Sequence, residues 1–294
     1  MNAPPGSASR TSWTGLLLSV SASGMFALSA IFAKIIYASG ASVLGLLSAR
    51  YAIATAVLWG YLFLRGRRPR LGRYLLHLVL LGMIGNVGQS LPYFSALARI
   101  PASLAGLLVS TTPIYVTILA RVVFGEPLRP AKVATLAGAL GGVALVLGFS
   151  PQPVDLVGVG LVALGAFVAS LYIIVSRRLL FDVSPRDFAT AAIPATGLAF
   201  LVLGLLSGGI RLPTTAVGVG ALFGVAIIST VLSTIAWLSA MQHLGASRAS
   251  LAGAMEPVFI VVYSALILGE RLGPMQMLGG AVVLACVVLL RWIR

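Results

Sequence analysis

An eighteen-residue stretch of this chain recurs 144 positions further along the sequence. Residues 113–130 read PIYVTILARVVFGEPLRP, and residues 257–274 read PVFIVVYSALILGERLGP. Extending the alignment without gaps to residues 93–130 and 237–274 gives eleven identities among 38 pairs. Apolar composition explains some of these identities, but it does not explain the paired prolines or the paired Gly-Glu-x-Leu-x-Pro. The repeat predicts a chain built from two copies of one structural unit.

The composition places this repeated unit in a membrane. The mean hydropathy is +1.06, and only 9% of the residues are charged, which is too few to cover a water-soluble globule of this length. The net charge of +14 comes largely from arginines in short runs between apolar segments. That pattern is typical of cytoplasmic loops rather than of nucleic-acid binding. A membrane protein built twice from one unit has the design of a transporter.

Apolar runs of about 18 to 28 residues predict an all-α membrane protein with ten transmembrane helices. The predicted spans are residues 13–38, 42–64, 73–98, 102–124, 131–148, 155–178, 185–207, 216–243, 247–268 and 274–293. They follow a polar tail, residues 1–12, that is expected to be flexible. Residues 150–155 separate two five-helix repeats, residues 13–148 and 155–294. Because five is odd, the second repeat is expected to lie inverted relative to the first.

The positive charges of the loops predict the orientation. If the amino terminus is cytoplasmic, fourteen Lys and Arg residues fall in cytoplasmic segments and three in segments on the other side. Cytoplasmic loops of membrane proteins carry this excess of positive charge. Both termini are therefore predicted to be cytoplasmic.

Glu256 is the most informative charged residue. It lies nine residues into the ninth predicted span, about 14 Å from the start of that helix and close to the bilayer midplane. Pro257 follows it and removes a backbone donor, as expected where a helix bends beside a cavity. The carboxyl is predicted to bind a proton or a substrate amine. The alternative is a hydrogen bond to a neighbouring helix that only stabilises the fold.

Arg50 is the second deep charge, about 12 Å below the outer surface in the second predicted span. Because a guanidinium keeps its proton, it needs an anion, carbonyl groups or water. A substrate carboxylate and Glu256 are both candidate partners. The alternative is that the side chain snorkels or meets backbone carbonyls.

Polar and aromatic residues recur at helical spacing in three predicted spans, so that each of these helices presents them on one face. They are Asn86, Gln89, Ser90 and Tyr93 in the third span, Thr111, Thr112 and Tyr115 in the fourth, and Thr230, Thr234 and Trp237 in the eighth. These faces are predicted to bind substrate. The alternative is that single Ser and Thr hydroxyls bond back to their own helices or join neighbouring ones.

The remaining motifs predict hinges and scaffold contacts. Pro113 and Pro257 occupy equivalent positions in the two repeats and are expected to act as hinges. The pairs Gly125-Glu126 and Gly269-Glu270 are expected to end one helix and cap the next. The sequence has no phosphate-binding loop, nucleophile elbow or zinc-ligand spacing, so no metal, cofactor, enzymatic activity or ATP hydrolysis is expected.

The fourth and ninth spans carry a resemblance to a known family. Each has a proline, about ten apolar residues and Gly-Glu-x-Leu, and the ninth adds the Glu256-Pro257 pair where the fourth has Thr112. In this the chain resembles the EamA-type transporters of the drug/metabolite transporter superfamily, from residue 13 to its end. The resemblance implies a bundle of ten helices around a central cavity that works by alternating access. It also implies a bacterial exporter of amino acids or other small metabolites.

The leading hypothesis is a secondary transporter of the bacterial cytoplasmic membrane that exports neutral or aromatic amino acids and similar amphipathic metabolites. An aromatic cavity with few fixed charges suits a zwitterion with an apolar side chain. A broad exporter of cationic drugs is the alternative that Glu256 favours, with protons as a candidate coupling ion. An intramembrane enzyme is a weaker alternative, because it needs converging catalytic groups and only Glu256 offers itself.

The inverted repeat is directly testable by structure determination. The two halves should superpose after a rotation about an axis in the membrane plane, because five spans separate equivalent helices. If the third to fifth and the eighth to tenth spans enter the membrane from the same side, the inverted arrangement is wrong.

Overall fold

The computed structural model describes residues 13–66, 69, 71–112, 114–116, 118–119, 130–148, 154–179, 182–244 and 255–292. The predictions for the tail of residues 1–12, for Pro113, for the cytoplasmic end of the fourth span and for the start of the ninth lie outside these residues. Within them the regular secondary structure is entirely helical, as the sequence predicted.

The helices are numbered α1 to α10 in chain order, and π-helical turns interrupt two of them and form the last turn of a third. In the first half the helices are α1 (Trp13–Ala38), α2 (Val43–Leu64), α3 (Gly72–Leu97), α4 (Ala102–Val109) and α5 (Pro130–Gly148). In the second half they are α6 (Leu156–Leu179), α7 (Pro185–Leu206), α8 (Ala216–Ala226, Ile227–Leu232 and Ser233–Leu244), α9 (Glu256–Leu268) and α10 (Pro274–Trp292).

Six of the described helices are long and apolar enough to cross a membrane. They are α1, α2, α3, α6, α7 and α8. A helix rises about 1.5 Å per residue, so about 20 residues cover the hydrocarbon core. The apolar stretches of α4, α5, α9 and α10 are shorter in the described residues. The chain is therefore a multi-pass membrane protein, and the count of ten crossings stays a prediction.

The two halves are interlocked rather than packed as separate globules. The most extensive helix packing joins one half to the other, pairing α5 with α10, α2 with α7, α3 with α6 and α1 with α8. Helix α4 likewise packs on α9. If each helix is replaced by the equivalent helix of the other half, α1 by α6, α2 by α7 and so on, the same set of helix pairs results. The main hydrophobic core accordingly takes side chains from both halves, such as Leu46, Phe94 and Ile260.

Glycines allow α5 and α10 to approach closely. A Cβ added at Gly142 would lie 2.8 Å from the carbonyl oxygen of Gly279, and one added at Gly279 would lie 2.7 Å from the carbonyl oxygen of Gly142. Both distances are too short for any larger residue without a backbone shift. Small residues at these positions therefore let the two helices pack closely.

Loops that were predicted to share one side of the membrane contact each other. Arg99, after α3, forms a 2.8 Å ion pair with Asp155, before α6. The hydrogen bond from Arg99, with others from the first backbone N–H groups of α6, holds the pKa of Asp155 below its usual range. At the opposite end of the bundle, the hydroxyl of Tyr74 donates to Asp182 at 2.8 Å.

Glu270 caps α4, in the other half of the chain. Its two carboxylate oxygens accept hydrogen bonds from the backbone N–H groups of Ala102 and Ser103 at 2.9 and 2.8 Å, and from the Ser103 hydroxyl at 2.7 Å. The expectation that Glu270 caps the helix that follows it is therefore wrong. The φ of +68° at Gly269 ends α9 with a left-handed turn, and Glu270 follows that turn directly.

Replacing Glu270 with Gln should lower the free energy of unfolding by about 1–2 kcal/mol, because a neutral amide loses the charge that the helix N-terminus favours. Thermal unfolding of the purified protein in detergent measures this change. Asp182→Asn is the matched control, since this acid accepts an exposed hydrogen bond and surface contacts contribute little. Equal destabilisation by the two substitutions would contradict the capping role.

Candidate functional site

Arg50 is buried among three helices. Only 6% of its surface is exposed. From α2 its Nε donates to the hydroxyl of Thr230 at 2.7 Å, and one terminal nitrogen, Nη2, makes a longer contact of 3.5 Å to the carbonyl oxygen of Ser229. The guanidinium lies 4.8 Å from the ring centre of Phe94 and 5.2 Å from that of Tyr51. Of the partners predicted for this charge, a backbone carbonyl is present and Glu256 is not.

A π-helical turn in α8 supplies both acceptors. Residues Ile227–Leu232 form this turn, and the hydroxyl of Thr230 donates to the carbonyl oxygen of Val225, five residues earlier, at 2.7 Å. A π turn widens the winding of a helix and is frequent at functional sites. Helix α3, the counterpart of α8, has its own π turn at Leu81–Asn86. The local winding of α8 thus positions the groups that hold Arg50.

Several polar atoms in this region are buried without a hydrogen-bond partner among the described residues. Three helices contribute them: Nη1 of Arg50 from α2, the hydroxyl of Tyr93 from α3, and the hydroxyls of Ser229 and Ser233 from α8. The ring of Tyr93 meets that of Phe94 edge to face at 5.5 Å between ring centres, and Phe94 lies beside the guanidinium of Arg50. Unpaired buried polar groups are costly, so this cluster marks a place where the fold gives up stability.

Glu256 begins α9 instead of lying inside a continuous helix. Met255 is in a turn, and Pro257 stands in the first turn of the helix, where its missing N–H costs nothing. The prediction that Glu256 lies nine residues into an unbroken helix is therefore wrong at Met255, where the chain forms a turn. The side chain is half-buried and makes no hydrogen bond or ion pair with any residue that the structure describes. The helix-to-helix hydrogen bond considered as its alternative role is absent there.

Helix α4 is interrupted at the equivalent point of the first repeat. It ends at Val109, and Thr111, the counterpart of Met255, is in a turn. Three successive hydroxyls, those of Ser110, Thr111 and Thr112, donate to the carbonyls of Leu107, Leu108 and Val109 at 2.6, 2.7 and 2.6 Å. Thr111 and Thr112 therefore follow the alternative interpretation, in which hydroxyl groups bond back to their own helix. Interrupted helices are typical of binding sites in transporters.

The polar face of α3 joins other helices. Asn86 donates to the hydroxyl of Thr196 in α7 at 3.2 Å, and Gln89 donates to Asn86 at 3.0 Å. The hydroxyls of Ser90 and Tyr51 are 3.3 Å apart. In this conformation these predicted binding residues hold α3 against α7 and α2.

The three predicted aromatic residues lie in different surroundings. Tyr93 packs on the main core, while Tyr115 meets the edge of Phe167 at 6.1 Å between ring centres. Trp237 packs on a second cluster around Phe188. No ring contact joins any two of the three in the described coordinates, so a shared role in one cavity stays a prediction.

Tyr37 was missed from the sequence. Its hydroxyl donates to the carbonyl oxygen of Phe94 at 2.9 Å, and the ring of Phe94 lies beside the guanidinium of Arg50. It lies near the end of the apolar helix α1, where a single tyrosine gives no signal in the sequence. Only the packing of α1 against α3 brings it into the site.

A known family matches this chain over almost its whole length. The sequence model of the EamA-like transporter family matches residues 13–148 and again residues 156–292. The chain belongs to this family and contains two copies of the family's structural unit. It is therefore a membrane transporter. A solved crystal structure superposes with a TM-score of 0.69 over 94% of this chain and 95% of the other at 22% identity, which shows a shared fold.

Three curated relatives carry transporter names. A Bacillus subtilis transporter, YyaM, is 25% identical over 80% of each chain. A probable terminal-alkyne amino-acid exporter of Streptantibioticus cattleyicolor is 25% identical over 76% of this chain and 75% of its own. The aromatic amino acid exporter YddG of Ancylobacter novellus is 35% identical over 33% of this chain and 36% of its own.

Replacing Thr230 with Val should lower the free energy of unfolding by about 1–3 kcal/mol, because it leaves the buried Nε of Arg50 without its acceptor while keeping the side-chain shape. Thermal unfolding in detergent is the measurement. Thr234→Val is the control, since Thr234 makes no side-chain hydrogen bond with the described residues. Similar losses in both variants would show that Thr230 does not anchor Arg50.

Proposed function

We propose that this protein is a secondary transporter that exports small amphipathic metabolites, with neutral and aromatic amino acids as the leading substrates. The observation that carries the proposal is the half-buried carboxyl of Glu256, which lies at the start of α9 and has no partner in the described structure. Relatives named as amino-acid exporters support the substrate class. The membrane is the cytoplasmic membrane of a bacterium, with both termini on the cytoplasmic side.

The proposed mechanism is alternating access between two inverted repeats. Interlocked halves support it, because helices of one repeat can rock against those of the other around a fixed site. The turns at Thr111 and Met255, which occupy equivalent positions in the two repeats, supply pivots, with Pro257 as the proposed hinge of α9 and Pro113 as the proposed hinge of the first repeat. The lipid bilayer holds the helices, and the substrate binds between them.

Glu256 is the proposed coupling residue. A carboxyl without a protein partner can take up a proton or bind the ammonium group of a substrate, and both uses favour a position near the middle of the bundle. The same carboxyl favours a second candidate function, the export of cationic drugs. An amino acid needs in addition a group that binds its carboxylate, whereas a simple cation does not.

The substrate class is tested by reconstituting the purified protein in proteoliposomes and measuring exchange of labelled phenylalanine, leucine and ethidium. Exchange of the amino acids, and little of ethidium, is expected. Transport of ethidium alone would support the drug exporter and contradict the proposed function.

Glu256→Gln should still exchange substrate but fail to concentrate it when a pH difference is applied, because the amide keeps the shape of the side chain but cannot bind a proton. Uptake of labelled amino acid with and without a pH gradient measures this difference. Asp182→Asn serves as the control, since it removes an acid at the end of the bundle. Accumulation by Glu256→Gln equal to that of the parent would exclude the proton role.

A further inference from the structure

The proposed mechanism assigns no role to the buried guanidinium of Arg50. Two of its three nitrogens are occupied, by the hydroxyl of Thr230 and the carbonyl oxygen of Ser229. The third, Nη1, is buried and has no hydrogen-bond partner in the described residues. An arginine kept only to join helices is expected to use all its donors, because each unused one costs free energy in a low-dielectric interior.

Three hydroxyl groups share this condition. Those of Tyr93, Ser229 and Ser233 are also buried and unpartnered among the residues described. Ser229 lies in the π turn that touches Arg50, and Ser233 follows one turn later on the same helix. From α3, Tyr93 meets the ring of Phe94 edge to face at 5.5 Å between ring centres, and Phe94 lies 4.8 Å from the guanidinium of Arg50. A fixed positive charge beside several hydroxyl donors is the donor set of an anion-binding site.

We infer that Arg50, Tyr93 and Ser229 form a subsite for the carboxylate of the transported substrate, with Ser233 at its edge. This inference rests on the proposed function and narrows it to substrates that carry a carboxylate. Nη1 of Arg50 and the hydroxyl of Tyr93 donate to the carboxylate oxygens. The aromatic rings of Tyr51 and Phe94 and the contacts to α8 hold the guanidinium in place before substrate arrives.

The two deep charges favour a zwitterion over a phosphate. No ion pair joins Arg50 and Glu256 in the described structure. A dianion would meet the repulsion of Glu256 and only one guanidinium. An amino acid instead presents an ammonium to Glu256 and a carboxylate to Arg50, so both protein charges gain a partner.

The four atoms are shielded from solvent in this conformation, while the ring of Tyr93 is partly exposed. The subsite is thus closed to substrate here, and it opens when α8 or α3 shifts during the alternating-access cycle. The π turn of α8 supplies a place where such a shift can occur, because its hydrogen-bond pattern already departs from that of a regular helix.

The test compares an amino acid with its amide, which keeps the ammonium and loses the carboxylate charge. Phenylalanine and phenylalaninamide are measured in proteoliposomes containing the parent, Tyr93→Phe or Arg50→Lys. In the parent, the phenylalanine concentration for half-maximal exchange should be lower than that of phenylalaninamide by a factor of about ten or more. The amide loses a hydrogen bond to a charged group. Both variants should shrink this preference, Arg50→Lys more strongly because lysine lacks the planar fork.

Tyr93→Phe removes only a hydroxyl that has no partner among the described residues, so folding is preserved. The control is Tyr61→Phe, which makes the same change at an exposed position on α2. This control should keep the substrate preference of the parent. If the parent moves both compounds equally well, the carboxylate subsite is overturned and the transport function stands. An unchanged preference in Tyr93→Phe and Arg50→Lys also overturns the subsite. If the parent moves neither compound while it moves ethidium, the proposed function and the subsite fail together.

Discussion

The burial of one positive charge governs the middle of this bundle. Moving a guanidinium from water to the interior of a membrane protein is costly unless hydrogen bonds and polarisable rings surround it. Arg50 meets this requirement through Thr230, Ser229 and two aromatic rings. These groups come from α2, α3 and α8, so the packing of three helices and the π winding of α8 all depend on the same contact.

The two copies of the repeat share a backbone feature and differ in its chemistry. Both have a turn at the same place, Thr111 in the first copy and Met255 in the second. In the first copy, Thr112 and its neighbours use their hydroxyls to satisfy the carbonyls of their own helix. In the second copy, Glu256 occupies the position of Thr112 and keeps its carboxyl unpaired in the described structure. The hydroxyls of the first copy are thus satisfied within their own helix, whereas the carboxyl of the second has no partner among the described residues.

The motif at the end of α9 connects the copies. Gly269 ends the helix in a left-handed turn, and Glu270 then reaches the first N–H groups of α4 across the boundary between the halves. Together with the interlocked pairs of helices, this contact joins the two halves through a hydrophobic core that takes described side chains from both.

The sequence by itself determined the membrane environment, the helical class, the approximate limits of the helices and the family, because hydropathy and repeat spacing are local properties. It also identified Arg50 and Glu256 as the deep charges, since a charge inside an apolar run needs an explanation wherever it occurs. Only the tertiary structure decided which groups hold Arg50, that Glu256 begins a helix, that Glu270 caps α4 and that Tyr37 joins the site. Each of these contacts connects residues more than 50 positions apart or depends on where a helix is interrupted. Side-chain pairing across helices follows from their packing, which a periodic pattern along one helix does not contain.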